Sequence, residues 1–186
     1  MNPPRSKRWI GFFIVLSLLA ITAIVVPLVY NLSIQLRPEQ LAEAQQRWKE
    51  NKPADYDLEY LVKSDDEGSE TREIRYLVQV RAGRVVLIME GDEVLYLEPS
   101  LAAVMGSGVF SLSSEEPRRY GVQALFAQIE EAMRQADTAA RRDFVKADFD
   151  PHDGHPSHFI HRVRGTKQRV EWFVKLTRLS ANPHQR

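Results

Sequence analysis

The stretch Thr71–Glu90, TREIRYLVQVRAGRVVLIME, decides the fold. Ile74, Tyr76, Val78 and Val80 alternate with Glu73, Arg75, Leu77 and Gln79, the period-two pattern of a strand with one buried face. Ala82-Gly83 then reverses the chain in two residues, the loop length of a tight hairpin. On the return Val85, Leu87 and Met89 face one way, Val86 and Ile88 the other. A hairpin with a covered face needs more strands beside it and helices above it.

Both neighbours supply them. Upstream, Tyr56, Leu58, Tyr60 and Val62 alternate with Asp57, Glu59 and Leu61 as another half-buried strand. Ser64–Glu70, SDDEGSE, links the two as an acidic loop without the spacing and closing glutamate of a calcium loop. Earlier still, Arg37–Lys52 reads as a helix. Pro38 and Glu39 suit its start, Leu41, Ala44 and Trp48 form its apolar stripe, and Pro53 stops it. Downstream, Gly91-Asp92 turns into a short edge strand, Val94–Leu97, and Glu98–Arg119 reads as a long loop or insertion.

Val122, Leu125, Phe126, Ile129 and Met133 then recur at helical spacing, so one face of this second helix lies on the sheet. Asp143–Phe149 reads as a strand, Asp150–Pro156 as a turn and Ser157–Arg164 as the return. Arg169–Leu179 is the last strand, with Val170, Trp172, Val174 and Leu176 on one face. The expected architecture is α+β: a two-layer sandwich of order helix-βββ(β)-helix-βββ, mainly antiparallel, with two helices on one face.

At the N-terminus Ile10–Tyr30, IGFFIVLSLLAITAIVVPLVY, holds no charge in 21 residues. As a helix it would be roughly 31 Å long, against ~30 Å of bilayer hydrocarbon, so it reads as a transmembrane anchor. Arg5, Lys7 and Arg8 precede it, which sets residues 1–9 as a cytoplasmic tail. Residues 31–37 follow as a linker, 38–180 as an extracytoplasmic domain and 181–186 as a C-terminal tail. The competing reading is a cleaved signal peptide, for which Ala20-Ile21-Thr22-Ala23 is the one weak cleavage candidate.

Composition narrows the chemistry. The chain has no cysteine, which excludes disulfides, thiolate catalysis and cysteine-ligated zinc. Its formal net charge is zero, and without the three basic tail residues the remainder stands at −3. No basic face suggests nucleic acid.

Four segments together resemble a family of bacterial secreted or anchored domains known only as a domain of unknown function. They are QQRWKENKPADYDLEY (45–60), VQVRAGRVVLI (78–88), YGVQALFAQIEEAM (120–133) and DPHDGHP (150–156). The resemblance runs over Leu41–Leu179 and rests on the order and spacing of these segments. The family usually has a tyrosine-like aromatic where His155 stands, a threonine-like cap at Tyr120 or Gly121, and a shorter link than Glu98–Arg119. The resemblance implies an α+β fold and an extracytoplasmic setting, and it implies no activity.

One cluster invites chemistry. In DPHDGHPSHFIH, His152, His155, His158 and His161 recur every third residue, with Asp150 and Asp153 between them. Imidazoles and carboxylates together suit zinc, copper or nickel, and His152, His155 and His158 are the candidate ligands. The structural reading explains the same residues: Asp-Pro opens a turn, Gly154 supplies a positive φ, and Pro156 leads into a strand. Strand alternation then sends His158 and His161 to opposite faces. No nucleophile elbow, phosphate loop or paired acid–base dyad is present, so no catalytic residue and no cofactor is assigned. Trp48, Tyr56, Tyr60, Tyr76, Phe126 and Trp172 sit at core periodicity and are assigned to packing.

Three functions follow. The first is a non-enzymatic, membrane-anchored module whose partner is a protein, peptide or envelope component. The second is a metal-binding domain using the His152–His161 turn. The third is an enzyme whose site is assembled from distant residues.

Overall fold

A computed structural model describes residues 6–33, 35–66, 68–100, 116–138 and 143–179, with side chains of the first helix described at 9, 11–27 and 29. It divides into two units, Met1–Gln35 and Leu36–Arg186.

The first unit is one helix, α1 (Ser6–Ser33), with Pro27 inside it. Here the expectation of a transmembrane anchor over residues 10–30 is corrected. Among the described residues no helix is long and apolar enough to cross a membrane. The readings built on that span go with it: the signal anchor, the single-pass topology with a cytoplasmic N-terminus, the extracytoplasmic setting, the membrane as partner and the membrane-anchored module as function.

The second unit has the expected α+β layers. Helix α2 (Pro38–Asn51) opens with Pro38 in its first turn, and the Arg37 amide donates to Gln40 Oε1 at 3.0 Å, satisfying an end group that has no partner within the helix. Four strands follow: β1 (Tyr56–Asp65), β2 (Arg72–Arg81), β3 (Arg84–Glu90) and β4 (Glu93–Leu97). A short 3-10 turn (Glu116–Arg119) leads into helix α3 (Val122–Thr138). The chain ends in β5 (Phe144–Phe149), β6 (Pro156–Arg162) and β7 (Arg169–Arg178). The long link expected over 98–119 falls mostly on 101–115, outside the described residues, as do the first residues of the tail and residues 181–186.

Among the described residues seven strands form one antiparallel sheet, ordered β4-β3-β2-β1-β7-β6-β5. The central strand is therefore the first, and it pairs with the last from Tyr56↔Arg178 to Asp65↔Arg169. Both helices lie on one face. Leu58, Val78, Ile88 and Trp172 rise from the sheet to meet Leu41, Ala44 and Trp48 of α2 and Leu125, Phe126 and Ile129 of α3. The opposite face carries charge pairs, among them Lys63–Glu73 and Arg81–Asp57, so water replaces a second helical layer there.

Phe126 is 4% exposed and stacks on Phe149 with ring centroids 6.1 Å apart. Phe126→Ala should cost about 3–5 kcal/mol of unfolding free energy, the usual range for a buried aromatic. Denaturant unfolding followed by tryptophan fluorescence checks this, and a change below about 1 kcal/mol would place the α3 stripe elsewhere.

Candidate functional site

The connection between β5 and β6 is wound around Asp150. Its backbone N–H donates to the His155 carbonyl at 2.8 Å, and its own carbonyl accepts from Gly154 at 2.9 Å. Its Oδ1 accepts from the amides of His152 (2.8 Å) and Asp153 (3.2 Å). Gly154 lies at φ +80°, and a β-carbon there would sit 2.3 Å from the Ala44 carbonyl oxygen. Only glycine lets this turn dock directly on the backbone of α2.

Docking buries Asp153, which is 1% exposed. Its Oδ1 accepts from the His155 amide at 3.1 Å and meets the ring Nδ1 of His155 at 2.5 Å. Its Oδ2 accepts from Arg178 Nη2 at 2.8 Å. Burial works to raise the Asp153 carboxyl, but the bonds from the His155 ring and amide and from Arg178 outweigh it and hold the group below its ordinary range. The His155 ring packs edge-on against Trp48.

Ligand-type atoms of Asp150, Asp153 and His155 all lie within 4.8 Å of one another. By donor type, two carboxylates and an imidazole suit a divalent transition ion. The donors, however, already have partners: Asp150 holds two turn amides, and Asp153 is shared by His155 and a guanidinium. The Arg178 cation beside Asp153 supplies the positive charge a metal would otherwise bring. As placed, the cluster is a buried polar lock between the turn, α2 and the end of β7.

The remaining candidates do not converge on it. His152 is exposed on the turn. His158 lies on the outer face, stacked on Phe173, with Nδ1 3.2 Å from Asp148 Oδ2 and Nε2 2.9 Å from Glu171 Oε1. Burial there also acts to raise Asp148, but Lys146 and His158 bond to it and draw it down. His161 lies on the inner face under α3, its Nε2 3.5 Å from Asp143 Oδ2. Period-two alternation separates His158 from His161, as the sequence implies. The partners Glu171 and Arg178 come from β7, too far along the chain for local spacing to reveal.

The feature sequence reasoning missed lies one turn further along α2. A cleft of about 550 Å³ opens between the end of α2, the start of β1, the β2–β3 hairpin and the start of α3. Trp48 and Tyr56 form its floor. Burial pushes the Tyr56 hydroxyl up to about 12, so the floor carries no charge near neutrality. One wall is the hairpin turn, clamped by Gly83 N–H to the Ala54 carbonyl (2.8 Å) and Ala82 N–H to Asp55 Oδ1 (2.7 Å). Ala82 sits at φ +49°, a left-handed conformation costing a residue with a β-carbon about 1–2 kcal/mol. Those two bonds hold it there.

Lys52 and Arg118 flank the cleft, and none of its described lining residues carries a carboxylate. Neither cation has a carboxylate partner among the described side chains. The amides of Val122 and Gln123, in the first turn of α3, likewise find no acceptor among the described residues. The sequence signal was faint: Arg118 and Arg119 ahead of Gly121 mark a basic, uncapped helix start, but nothing local places Lys52 beside it.

Comparison with known protein families and with curated proteins finds no match to this chain. The geometry therefore carries the functional reading by itself.

Two outcomes test the polar lock. Gly154→Ala should destabilise the domain by at least about 2 kcal/mol in denaturant unfolding, because a left-handed φ and a backbone clash add together. The second concerns acid. Asp153 has a depressed carboxyl in the fold, so its stabilisation is complete above the unfolded carboxylate pKa of about 4 and is lost as pH falls below it. Thermal melts between pH 7 and pH 2.5 should show Asp153→Asn starting less stable and falling less steeply below pH 4. Parallel acid profiles would remove Asp153 from the linkage.

Proposed function

We propose that the Leu36–Arg186 unit binds a small organic molecule in the cleft between the β2–β3 hairpin and the start of α3. One observation carries the reading: a concave space of about 550 Å³ with an aromatic floor and a polar rim. Small-molecule sites run from roughly 300 to 1,000 Å³ and combine apolar walls with a few fixed polar groups. The walls support it too. Trp48, Tyr56, Val80, Val85, Val122 and Gln123 come from helices and strands, and the Ala82-Gly83 turn beside them is clamped by two hydrogen bonds. The strained turn at Ala82 fits a clamp at the rim, since such conformations gather at binding sites.

The metal reading is weaker on this geometry, because Arg178 already neutralises the one fully buried carboxylate of the turn. Binding alone is proposed, and no reacting group is assigned.

Phenyl probes test the cleft. Benzyl alcohol, benzoate, phenyl phosphate and benzylamine are titrated separately into the isotope-labelled full chain, following amide shifts by NMR. At least one should shift the amides of Gly83, Gly121 and Gln123 in a saturable way. Ala54→Trp, a plug placed from an exposed rim position, should abolish the shifts without unfolding the domain. No shift from any of the four would overturn the proposal.

A further inference from the structure

The cleft is electrostatically one-sided, which narrows what it can hold. Lys52 and Arg118 flank it, none of its described lining residues is acidic, and neither cation is paired among the described side chains. Several cations elsewhere on the described surface do have a carboxylate: Arg47 with Glu43, Lys63 with Glu73, Arg81 with Asp57, Arg134 with Glu131, Lys146 with Asp148. The acids nearest in sequence to the cleft walls are engaged elsewhere: Asp55 accepts from the Ala82 amide and Asp57 pairs with Arg81.

The first turn of α3 adds to the same sign. It contains no acidic side chain to offset the partial positive charge of a 17-residue helix. The Tyr56 hydroxyl stays protonated, so the floor does not oppose a negative group. Beside the cations, the Trp48 and Tyr56 rings and Val80 and Val85 line the cleft as its apolar part. A ligand matching both halves has an anionic head and a flat apolar body.

Resting on the reading of the cleft as a ligand site, we propose that its ligand is an organic anion, a carboxylate or phosphate ester carried on an aromatic or similarly flat body. The head sits between Lys52 and Arg118 at the start of α3, and the body lies on Trp48 and Tyr56. Arg118 offers a planar fork of donors to two oxygens of the head, while Lys52 acts as a point charge. No covalent step is involved.

The same four probes separate this inference from the reading beneath it. Benzoate and phenyl phosphate should bind at least about tenfold more tightly than benzyl alcohol, the effect of one charge-assisted hydrogen bond, and benzylamine should bind worst. Raising salt from 50 to 500 mM should weaken the anions and leave benzyl alcohol unchanged. Lys52→Glu with Arg118→Glu, both at exposed positions, should erase the anion preference while benzyl alcohol still shifts Gly83 and Gly121. Comparing benzoate with phenyl phosphate then identifies the head. Equal binding of benzyl alcohol and the anions would overturn the inference and leave the cleft a ligand site. An anion preference that survives both charge reversals would overturn it as well, because the head would then sit elsewhere. Silence from all four probes removes the cleft itself.

Discussion

The antiparallel ladder between β1 and β7 is the constraint on which the rest of the unit depends. It joins the first strand to the last, from Tyr56↔Arg178 to Asp65↔Arg169, and turns two separate meanders into one seven-stranded sheet. The inward row of that ladder pairs Leu58 with Leu176, Tyr60 with Val174 and Val62 with Trp172. Closing it brings together residues more than a hundred positions apart, an entropic cost that local contacts cannot repay. Burial does so. Leu58 is fully inaccessible and Trp172 nearly so, because α2 and α3 can cover the sheet only when both halves present a continuous face.

From that ladder the polar lock follows. Arg178 stands opposite Tyr56, and from there its guanidinium reaches the buried Asp153 on the β5–β6 turn. Asp153 orients His155, His155 meets Trp48 edge-on, and the Trp48 and Tyr56 rings meet at 5.7 Å. A buried ion pair is weak evidence for stability in itself, because desolvation offsets much of the attraction, but removing one partner strands the other. Its consequence here is geometric. It fixes the turn on α2 through Gly154, and so fixes the ring that floors the cleft.

The outer face obeys a different rule. Several of its charges are paired along and across strands, and His158 bridges Asp148 of β5 and Glu171 of β7 while stacking on the half-exposed Phe173. Exposed pairs of this kind contribute at most about 1 kcal/mol each. They keep the uncovered side of the sheet compatible with water, and they discourage edge-to-edge association of a flat antiparallel surface.

Period and punctuation determined most of the secondary structure. The alternation over 56–62, 71–81 and 169–179 and the helical spacing of Val122 to Met133 are local properties, set by side chains that must share a face, and the elements stand within a few residues of where those patterns put them. The turn chemistry of Asp150 and Gly154 was legible for the same reason, since both residues satisfy backbone requirements of their own segment. The N-terminal stretch shows the limit of such reading: hydropathy alone suggested a membrane span, and among the described residues no helix is long and apolar enough to cross a membrane. Strand order, the union of β1 with β7, the Arg178–Asp153 pair and the meeting of Lys52 with Arg118 around one cleft were decided only by tertiary structure. Each brings together residues distant in the chain, and local spacing cannot encode a contact whose partner lies beyond the element that carries it.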